Sequence, residues 1–363
     1  MTCPRIEVDL AKIRYNMRTV VDQLNARGIS VTGVTKAVCG HPVIAQAMLD
    51  GGATGLAEAR LRNVQRLRKA GITCPITLIR TPMLSQVDDI VQVCDASYNT
   101  QLVVVAGLAA AAVRRGRVHG IILMVEMGDL RDGIMPKDLG TMAQQVVELP
   151  GVALKGIGAN FACLSGVAPD AAKMAAFSLL ADKTEGVGGP FLHTVSGGNS
   201  ANLPWALDRH PVGRINDLRL GEAILLGVDP DSGDQIDGMH TDAFTLIAEV
   251  IETDTKPALP TSQLRVVAQG GQNTRLIFAI GHQDTDISGL FMPPGHTFIG
   301  ATSDHLVLAT TNSLLTAGCE MRFQMTYSAL MRAMAAPDID TVLRSNQPLA
   351  RGMQSTDKRL ALV

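Results

Sequence analysis

Between residues 31 and 227 the sequence alternates between short apolar segments and longer amphipathic segments. This alternation predicts parallel β-strands, each followed by a helix. The strand-like segments are Val31–Thr35, Thr54–Ala57, Ile76–Ile79, Ala96–Tyr98, Ile121–Glu126, Leu154–Phe161, Leu192–Val195 and Asp217–Leu220. Eight such units in succession predict a (β/α)8 barrel and favour it over the alternative, an open doubly wound sheet.

The pattern changes after Gly227. A turn-rich segment, Asp229–Asp234, precedes β-type segments, and the next helix is predicted only at about Ser328–Met334. The β-type segments are Phe244–Glu252, Leu264–Ala268, Leu276–Ile280, Thr297–Ile299 and Leu306–Ala309. We therefore predict a barrel domain over residues 10–230 and a smaller, mainly β C-terminal domain over residues 231–363. We expect the lone strand within residues 1–9 to join the second domain.

The composition narrows the classes of protein. The chain of 363 residues has a net charge of −2, which offers no electrostatic footprint for nucleic acid or an anionic membrane. Its six cysteines are scattered, with no C-x-x-C pair, which favours free thiols over disulfides or a zinc site. No apolar run reaches membrane-spanning length, and no secretory signal is recognisable. The sequence predicts a soluble, cytoplasmic protein that binds a small molecule and no metal.

Polar side chains occur where the predicted barrel strands end, and such barrels place their catalytic groups there. The first strand ends at Lys36, where an ammonium group has little structural use. We hypothesise that Lys36 binds a cofactor as a Schiff base. The other groups at strand ends are Glu58, Arg80, Asn99, Arg131, Asn160, the loop Ser196–Ser200 and Arg219.

Several of these features have structural alternatives. The loop Ser196–Ser200 follows the seventh strand, where barrels often bind phosphate, and its glycines and hydroxyls suit an anion. A tight turn with a helix cap is the alternative. Arg219 could equally be a buried arginine paired with Glu222 or Asp217. Arg131 suits a substrate carboxylate, or it is a solvated charge beside its flanking aspartates.

The second domain contains one polar turn of interest. Ser303–His305 offers a hydroxyl, a carboxylate and an imidazole within three residues. Ordinary turn chemistry is the alternative explanation. The sequence contains no H-E-x-x-H metalloprotease motif, no Walker lysine motif and no Ser-His-Asp order that would define another kind of enzyme.

Segments spread along nearly the whole chain resemble the alanine racemase superfamily, the fold-type III pyridoxal phosphate (PLP) enzymes. They are Arg5–Asn16, Val34–Ala37 with Gly40 and His41, and Leu218–Gly221. Within the superfamily, Thr35–Gly40, Ile215–Gly227 and Gly300–Leu306 are similar to the ornithine racemases. The resemblance implies a PLP-dependent racemase of basic amino acids, with ornithine as the first expected substrate and lysine or arginine next.

The resemblance also implies roles for individual residues. Lys36 would bind PLP as a Schiff base, and Arg219 would face the pyridine nitrogen. Asn160 would lie beside the ring, and Arg131 would bind the substrate carboxylate. The phosphate would be held by Ser196, Asn199, Ser200, Gly221, Glu222 and Tyr327.

Arg219 bears on the type of reaction that the resemblance implies. A permanent cation beside the pyridine nitrogen disfavours its protonation and makes PLP a weaker electron sink. This suits brief removal and return of the α-proton. The fold-type III decarboxylases use a carboxylate in this role, so racemisation is favoured over decarboxylation or another lyase reaction. A non-catalytic PLP-binding homeostasis protein is a further alternative, but those relatives consist of a barrel alone.

Racemisation needs an acid–base group on each face of the α-carbon, and Lys36 serves one face. Alanine racemase uses a tyrosine of the partner subunit on the other face, but the corresponding segment here, Glu252–Pro260, contains no tyrosine. By analogy with the decarboxylases, Ser303 or His305 would transfer the second proton and Asp304 would bind a distal ammonium group. Because the family builds its site across subunits, the resemblance also implies a head-to-tail homodimer.

Overall fold

A computed structural model describes residues 3–186, 191–256, 274–310 and 314–344, together with the backbone of Leu360–Leu362. Contacts divide the described residues into two compact units. Ile13–Lys36 and Gly40–Thr241 form the first, which we call the barrel unit. The described residues before Ile13 and after Thr241, with Ala37–Cys39, form the second, which we call the β unit.

The chain begins with strand β1 (Arg5–Asp9) and helix α1 (Leu10–Asn25). The strands of the barrel unit are β2 (Ser30–Val34), β3 (Gly55–Glu58), β4 (Ile76–Leu78), β5 (Ala96–Asn99), β6 (His119–Val125), β7 (Val152–Ala159), β8 (Thr194–Ser196) and β9 (Asp217–Leu220). The helices that follow them are α2 (Pro42–Asp50), α3 (Leu61–Lys69), α4 (Val87–Val93), α5 (Leu102–Arg114), α6 (Leu139–Val147), α7 (Ala171–Gly186), α8 (Leu203–Leu207) and α9 (Glu222–Leu226).

The eight strands close into a parallel barrel because β2 pairs with β3 on one side and with β9 on the other. This confirms the predicted (β/α)8 architecture. Sequence explains the strands: β6 is buried at every residue, as expected for a strand covered on both faces. It also explains helix α2, which begins at Pro42, where the missing N–H costs no hydrogen bond.

The register of the last barrel strands places polar residues side by side. Ser196 of β8 aligns with Asp217 of β9, and Thr32 of β2 aligns with Arg219. Alternate residues of a strand point to the same face of the sheet, so Asp217 and Arg219 share one face of β9. That face is the inside of the barrel, because Arg219 contacts Tyr98 of β5 there.

The β unit is a mainly antiparallel sheet. Its further strands are β10 (Phe244–Thr255), β11 (Thr274–Phe278), β12 (Leu290–Phe291), β13 (His296–Ala301), β14 (Leu306–Thr310), β15 (Glu320–Met325), β16 (Asp340–Arg344) and β17 (Leu360–Leu362). Strand β1 lies between β10 and β16 in this sheet, and a single helix of two turns, α10 (Tyr327–Ala333), follows β15 among the described residues. The second, mainly β part of the predicted fold is thus also confirmed.

Some elements differ from the sequence prediction. The predicted strand Leu264–Ala268 lies outside the described residues. Strands β15 and β16 were not predicted, although β15 buries alternate residues as a one-sided strand should. Among the described residues, no helix has both the length and the apolar character needed to cross a membrane.

Candidate active site

Lys36 follows strand β2 and opens a short 3-10 turn, Lys36–Val38. The residue before it, Thr35, is fully buried and donates a hydrogen bond of 2.9 Å to the Glu58 carboxylate at the end of β3. Glu58 also accepts hydrogen bonds from the backbone N–H groups of Ala59 and Arg60. Burial raises the pKa of Glu58, and these donated hydrogen bonds oppose the shift. Together they fix the backbone from which the Lys36 side chain extends.

Arg219 is buried on the inner face of β9, with 4 % of its surface exposed. Its Nη1 atom donates to the Tyr98 hydroxyl at 3.2 Å and to Ser196 Oγ at 2.5 Å. Its Nη2 atom donates to the Ala159 carbonyl at 2.7 Å and to Asn160 Oδ1 at 2.8 Å. The guanidinium carbon also lies 4.7 Å from the centre of the Tyr98 ring. All four Nη hydrogens therefore have neutral acceptors within the barrel unit.

This arrangement decides between the two interpretations of Arg219. Among the described residues, Arg219 forms no direct ion pair with Glu222 or Asp217. Every acceptor of its hydrogen bonds there is a neutral group. A guanidinium has five N–H donors, so the Nε–H of Arg219 is the one donor that no described residue accepts. Arg219 is thus a rigid buried cation whose Nε–H has no acceptor among the described residues.

Ser196, to which the resemblance assigns a phosphate role, is hydrogen-bonded inside the barrel. Its side chain is fully buried; the hydroxyl accepts from Arg219 and donates to Asp217 in a short hydrogen bond. Since its one hydrogen is donated to Asp217, the Ser196 hydroxyl is already engaged within the barrel. Asp217 is also buried, and it accepts a second hydrogen bond, of 2.7 Å, from Thr32 Oγ1.

The rest of the loop after β8 is shaped by two asparagines. Asn199 Oδ1 accepts from the Ala201 N–H at 2.9 Å, and Asn202 Oδ1 accepts from the Asn199 N–H at 3.0 Å, which is a capping box. Gly198 has φ +136°, and a Cβ there would lie 2.1 Å from Asn202 Oδ1, so only glycine fits. The helix-cap interpretation is therefore confirmed for the backbone, and it leaves the buried Ser200 hydroxyl beside the start of α9, where it accepts from the Ala223 N–H at 3.2 Å.

Gly221 and Glu222 form the start of α9, directly after Arg219 and Leu220 in the chain. Burial raises the pKa of Glu222 to about 7. The positive charge of Lys36 opposes this shift, and the negative charge of Asp229 adds to it. The electrostatic coupling indicates that the ends of β2 and β9 bring Lys36 and Glu222 near each other in the barrel unit.

Arg131 lies in the loop after β6, and its side chain is 40 % exposed. Its Nε atom lies 2.6 Å from Asp132 and 3.9 Å from the buried Asp129. Burial lowers the pKa of Arg131, but the two aspartates outweigh this effect and raise it overall. The flanking aspartates thus do pair with Arg131, as the structural alternative held, while leaving the guanidinium partly exposed.

Four predicted site residues lie in the β unit. Ser303 and Asp304 are exposed in the turn between β13 and β14, where Ser303 Oγ donates to Asp304 Oδ2 at 2.8 Å. His305 is half-buried, and its N–H donates to Thr302 Oγ1 at 3.1 Å. Tyr327 is the first residue of α10 and is also half-buried. The Ser303–His305 turn thus has the hydrogen bonds of an ordinary turn, and it also exposes the Asp304 carboxylate.

The structure therefore groups the barrel residues of the predicted site and adds two residues to them. Arg219, Asn160 and Ser196 are joined by hydrogen bonds. Tyr98, which stacks on Arg219, was not predicted as a site residue, and Asp217 was considered only as an ion-pair partner. The one signal for Tyr98 was its position in a barrel strand, where alternate residues point inwards.

The barrel residues fit PLP by the chemistry of their donors. A primary amine at a strand end can bind an aldehyde, and a buried guanidinium with one remaining N–H suits a ring nitrogen acceptor. The Ser200 hydroxyl and the backbone at the start of α9 suit a phosphate. Within the described ranges, no group of three or more His, Cys, Asp or Glu residues could bind a metal ion.

Comparison with known proteins identifies the class to which this barrel belongs. The profile described as "Alanine racemase, N-terminal domain" matches residues 8–230. A lysine racemase of Thermotoga maritima is 35 % identical over 353 residues, covering 94 % of this chain and 99 % of that protein. An ornithine racemase of Acetoanaerobium sticklandii is 33 % identical over 355 residues, with the same coverage of 94 % and 99 %. The chain belongs to the alanine racemase family.

A solved structure supports the fold independently. The alanine racemase of Clostridium difficile 630 superposes with a TM-score of 0.78, covering 96 % of this chain and 97 % of that one. At 20 % identity this likeness concerns the fold alone. The barrel followed by a mainly β part is therefore a family architecture.

Proposed function

We propose that this protein is a PLP-dependent racemase that interconverts the L- and D-forms of a basic amino acid, ornithine or lysine. The observation that carries the proposal is Arg219, a buried cation whose described partners are neutral and whose Nε–H remains as a donor. Two relatives that match this chain over nearly its full length, named lysine racemase and ornithine racemase, support the choice of substrate class.

The barrel unit offers most of the groups that would hold the cofactor, and Tyr327 of the β unit adds one. Lys36 would bind its aldehyde, Arg219 would donate to its ring nitrogen, and Asn160 would lie beside the ring. The phosphate would be held by Asn199, Ser200, the backbone of Gly221 and Glu222, and Tyr327. PLP, when bound, withdraws electrons from the α-carbon of an attached amino acid and so acidifies its α-proton. We assign Ser196 to the support of Arg219, because its hydroxyl connects Arg219 to Asp217 by hydrogen bonds.

The protein's own side chains would then move the proton. The Lys36 amine takes the α-proton on one face and, in the reverse direction, returns it. Ser303 or His305 serves the opposite face, where alanine racemase has a tyrosine that this chain lacks. Arg131 binds the substrate carboxylate through its exposed guanidinium, and the exposed Asp304 carboxylate binds the distal ammonium group. We assign these β-unit groups to the partner subunit of a head-to-tail homodimer.

A panel of L-amino acids, incubated with the protein and PLP, tests this function by chiral chromatography of the products. We expect D-ornithine or D-lysine to form, D-alanine to form much more slowly, and no carbon dioxide to be released. Release of carbon dioxide with loss of the amino acid would instead identify a decarboxylase. PLP binding without any turnover across the panel would identify a non-catalytic PLP-binding protein.

A further inference from the structure

Asp217, a buried carboxylate, lies on the same strand as Arg219, two positions before it. Asp217 and Arg219 are alternate residues of β9, so their side chains share the inside of the barrel. Ser196 joins them: its hydroxyl donates to Asp217 Oδ2 and accepts from Arg219 Nη1. Thr32 Oγ1 donates to the other carboxylate oxygen at 2.7 Å. The carboxylate and the guanidinium are thus connected through one hydroxyl group.

The direction of these hydrogen bonds depends on the charge of Asp217. An ionised carboxylate only accepts, so both hydroxyls must donate to it, and the Ser196 oxygen is then turned towards the Arg219 N–H. A protonated carboxyl would instead donate a hydrogen bond at one of its oxygens, and the hydroxyl group on that side would accept it. The contacts from Ser196 Oγ and Thr32 Oγ1 to the two carboxylate oxygens suit an ionised Asp217 that accepts from both hydroxyls.

Charge balance gives a second reason for this assignment. Neutral acceptors satisfy the hydrogen bonds of Arg219 but do not balance its charge, and Arg219 has no direct carboxylate partner among the described residues. Asp217 supplies the negative charge across Ser196. Burial raises the pKa of Asp217 overall, while the hydroxyls of Ser196 and Thr32 and the charge of Arg219 oppose that shift and favour the ionised form.

A cavity beside this carboxylate has room for water. A cavity of about 210 Å³ lies among the N-terminal ends of the strands, where Ser30, Thr32, Thr54 and Thr77 line it together with Asp217 and Arg219. One water molecule takes about 30 Å³ of liquid volume, so the cavity has room for several. It lies at the ends of the strands opposite to Lys36. Hydration from this side helps an ionised Asp217 to persist inside the barrel.

We propose that Asp217 is a positioning residue for Arg219: as an ionised carboxylate it orients the Ser196 hydroxyl, which in turn holds the guanidinium in place and balances its charge. The inference rests on the proposed function for what Arg219 does to the cofactor. It does not rest on that function for the charge state of Asp217.

The charge state can be measured without cofactor or substrate. The full-length protein, labelled with [13Cγ]aspartate, is compared by NMR with Asp217→Asn, whose missing resonance identifies Asp217. We expect this resonance at the carboxylate position at neutral pH, and we expect it to move to the protonated position in Arg219→Met, where the balancing cation is absent. A protonated signal in the wild-type protein at neutral pH overturns the proposal, whatever reaction the protein catalyses.

The positioning role is tested by a double-mutant cycle. In the PLP-loaded protein we expect Asp217→Asn and Ser196→Ala each to lower kcat about 10- to 100-fold, the range for a hydrogen bond to a charged group. Both should shift the visible absorbance band of the bound cofactor, and both should leave KM for the amino acid within about threefold, since neither residue reaches the substrate. The double variant should be no worse than either single variant, because both break the same connection.

Thr32→Val is the matched control, because it removes the other hydrogen bond to Asp217 while preserving side-chain shape. We expect kcat to fall less than about threefold and the absorbance band to stay in place. Additive losses in the double variant would overturn the proposal. So would a loss in Thr32→Val as large as that in Asp217→Asn, because a general packing defect would then explain both.

Discussion

The proposed reaction depends most on Arg219 and Lys36, two residues of the barrel unit. Arg219 is fixed by Tyr98, Ser196, Ala159 and Asn160, which lie on three different barrel strands or their ends. Five planar N–H donors in a rigid fork make this possible, and lysine cannot reproduce them.

Arg219→Lys therefore tests whether the guanidinium, and not the charge alone, is required. We expect kcat for the basic amino acid to fall at least about 10-fold, because a single ammonium cannot satisfy four acceptors and still donate to the ring nitrogen. Arg214→Lys is the matched control: Arg214 is an arginine of the same unit that forms ion pairs with Asp182 and Glu185 at the surface. Steady-state kinetics that show equal effects for the two substitutions would contradict the role of Arg219.

Asp304 is expected to bind the distal ammonium group of the substrate. Asp304→Asn should lower kcat/KM for ornithine and lysine about 10- to 100-fold while leaving the slow reaction of alanine nearly unchanged, because alanine has no distal charge. Asp338→Asn removes another exposed carboxylate of the β unit and serves as the control. If Asp304→Asn left the preference for ornithine or lysine over alanine unchanged, another residue would have to bind the distal group.

The site residues differ in how far the sequence alone could predict them. Lys36 and Arg219 were recognisable because they occupy the ends of strands and match family segments. The contact between Arg219 and Tyr98 joins residues 121 positions apart, and no local pattern encodes such a pair. The phosphate role predicted for Ser196 stays a prediction, but its alignment with Asp217 across two barrel strands is a contact that no local pattern indicates.

At the scale of elements, strand β1 depends on charged side chains to stay in its sheet. Glu7 of β1 is buried, and its carboxylate lies 3.2 Å from Arg5, 2.9 Å from Arg322 of β15 and 2.6 Å from Arg344 of β16. Burial raises the pKa of Glu7, but the three arginines outweigh burial and lower it below the usual 4.5. The ionised form of Glu7 therefore stabilises the folded protein.

Glu7→Gln should lower the free energy of unfolding by about 1–3 kcal/mol at neutral pH, since Arg322 and Arg344 are half exposed and solvent screens part of the interaction. The stabilisation is fully present above the unfolded-state pKa and is lost as the pH falls through the lowered folded-state pKa. Urea unfolding of wild-type protein and variant should thus converge in acid. A difference that persists or grows on acidification would contradict this assignment.

Each predicted barrel strand begins and ends within two residues of the observed strand. The predicted and observed bounds of the last barrel strand, Asp217–Leu220, agree. Strand β15 escaped prediction although it alternates buried and exposed residues, and so did β16, which at five residues is no shorter than several predicted barrel strands. β16 gains its place by pairing with β1 at the other end of the chain, which a local pattern cannot indicate.

At the scale of the whole molecule, the confirmed architecture separates two sets of groups. Lys36 and Arg219 belong to the barrel unit, whereas Ser303, Asp304 and His305 belong to the β unit. A site that needs both sets can be built within one chain or between two chains. We favour a head-to-tail homodimer, in which each barrel is completed by the β unit of the other subunit.

Complementation distinguishes the two arrangements. Lys36→Ala and the double variant Ser303→Ala/His305→Ala should each be inactive alone. After mixing under conditions that let subunits exchange, we expect up to about a quarter of wild-type activity, because half of the dimers are mixed and each of these has one intact site. Sedimentation should show a dimer throughout. If both variants were dimeric and exchanged subunits without regaining activity, a site shared between chains would be ruled out.

The central claim, that Lys36 exchanges the α-proton of a basic amino acid, is tested most directly in deuterium oxide. L-ornithine and L-lysine are incubated with the PLP-loaded protein, and each enantiomer is separated and its deuterium content measured by mass spectrometry. We predict the D-enantiomer with one deuterium at the α-carbon from the wild-type protein and none from Lys36→Ala. Absence of both the D-enantiomer and α-deuterium with wild-type protein, or equal exchange by Lys36→Ala, would contradict the account.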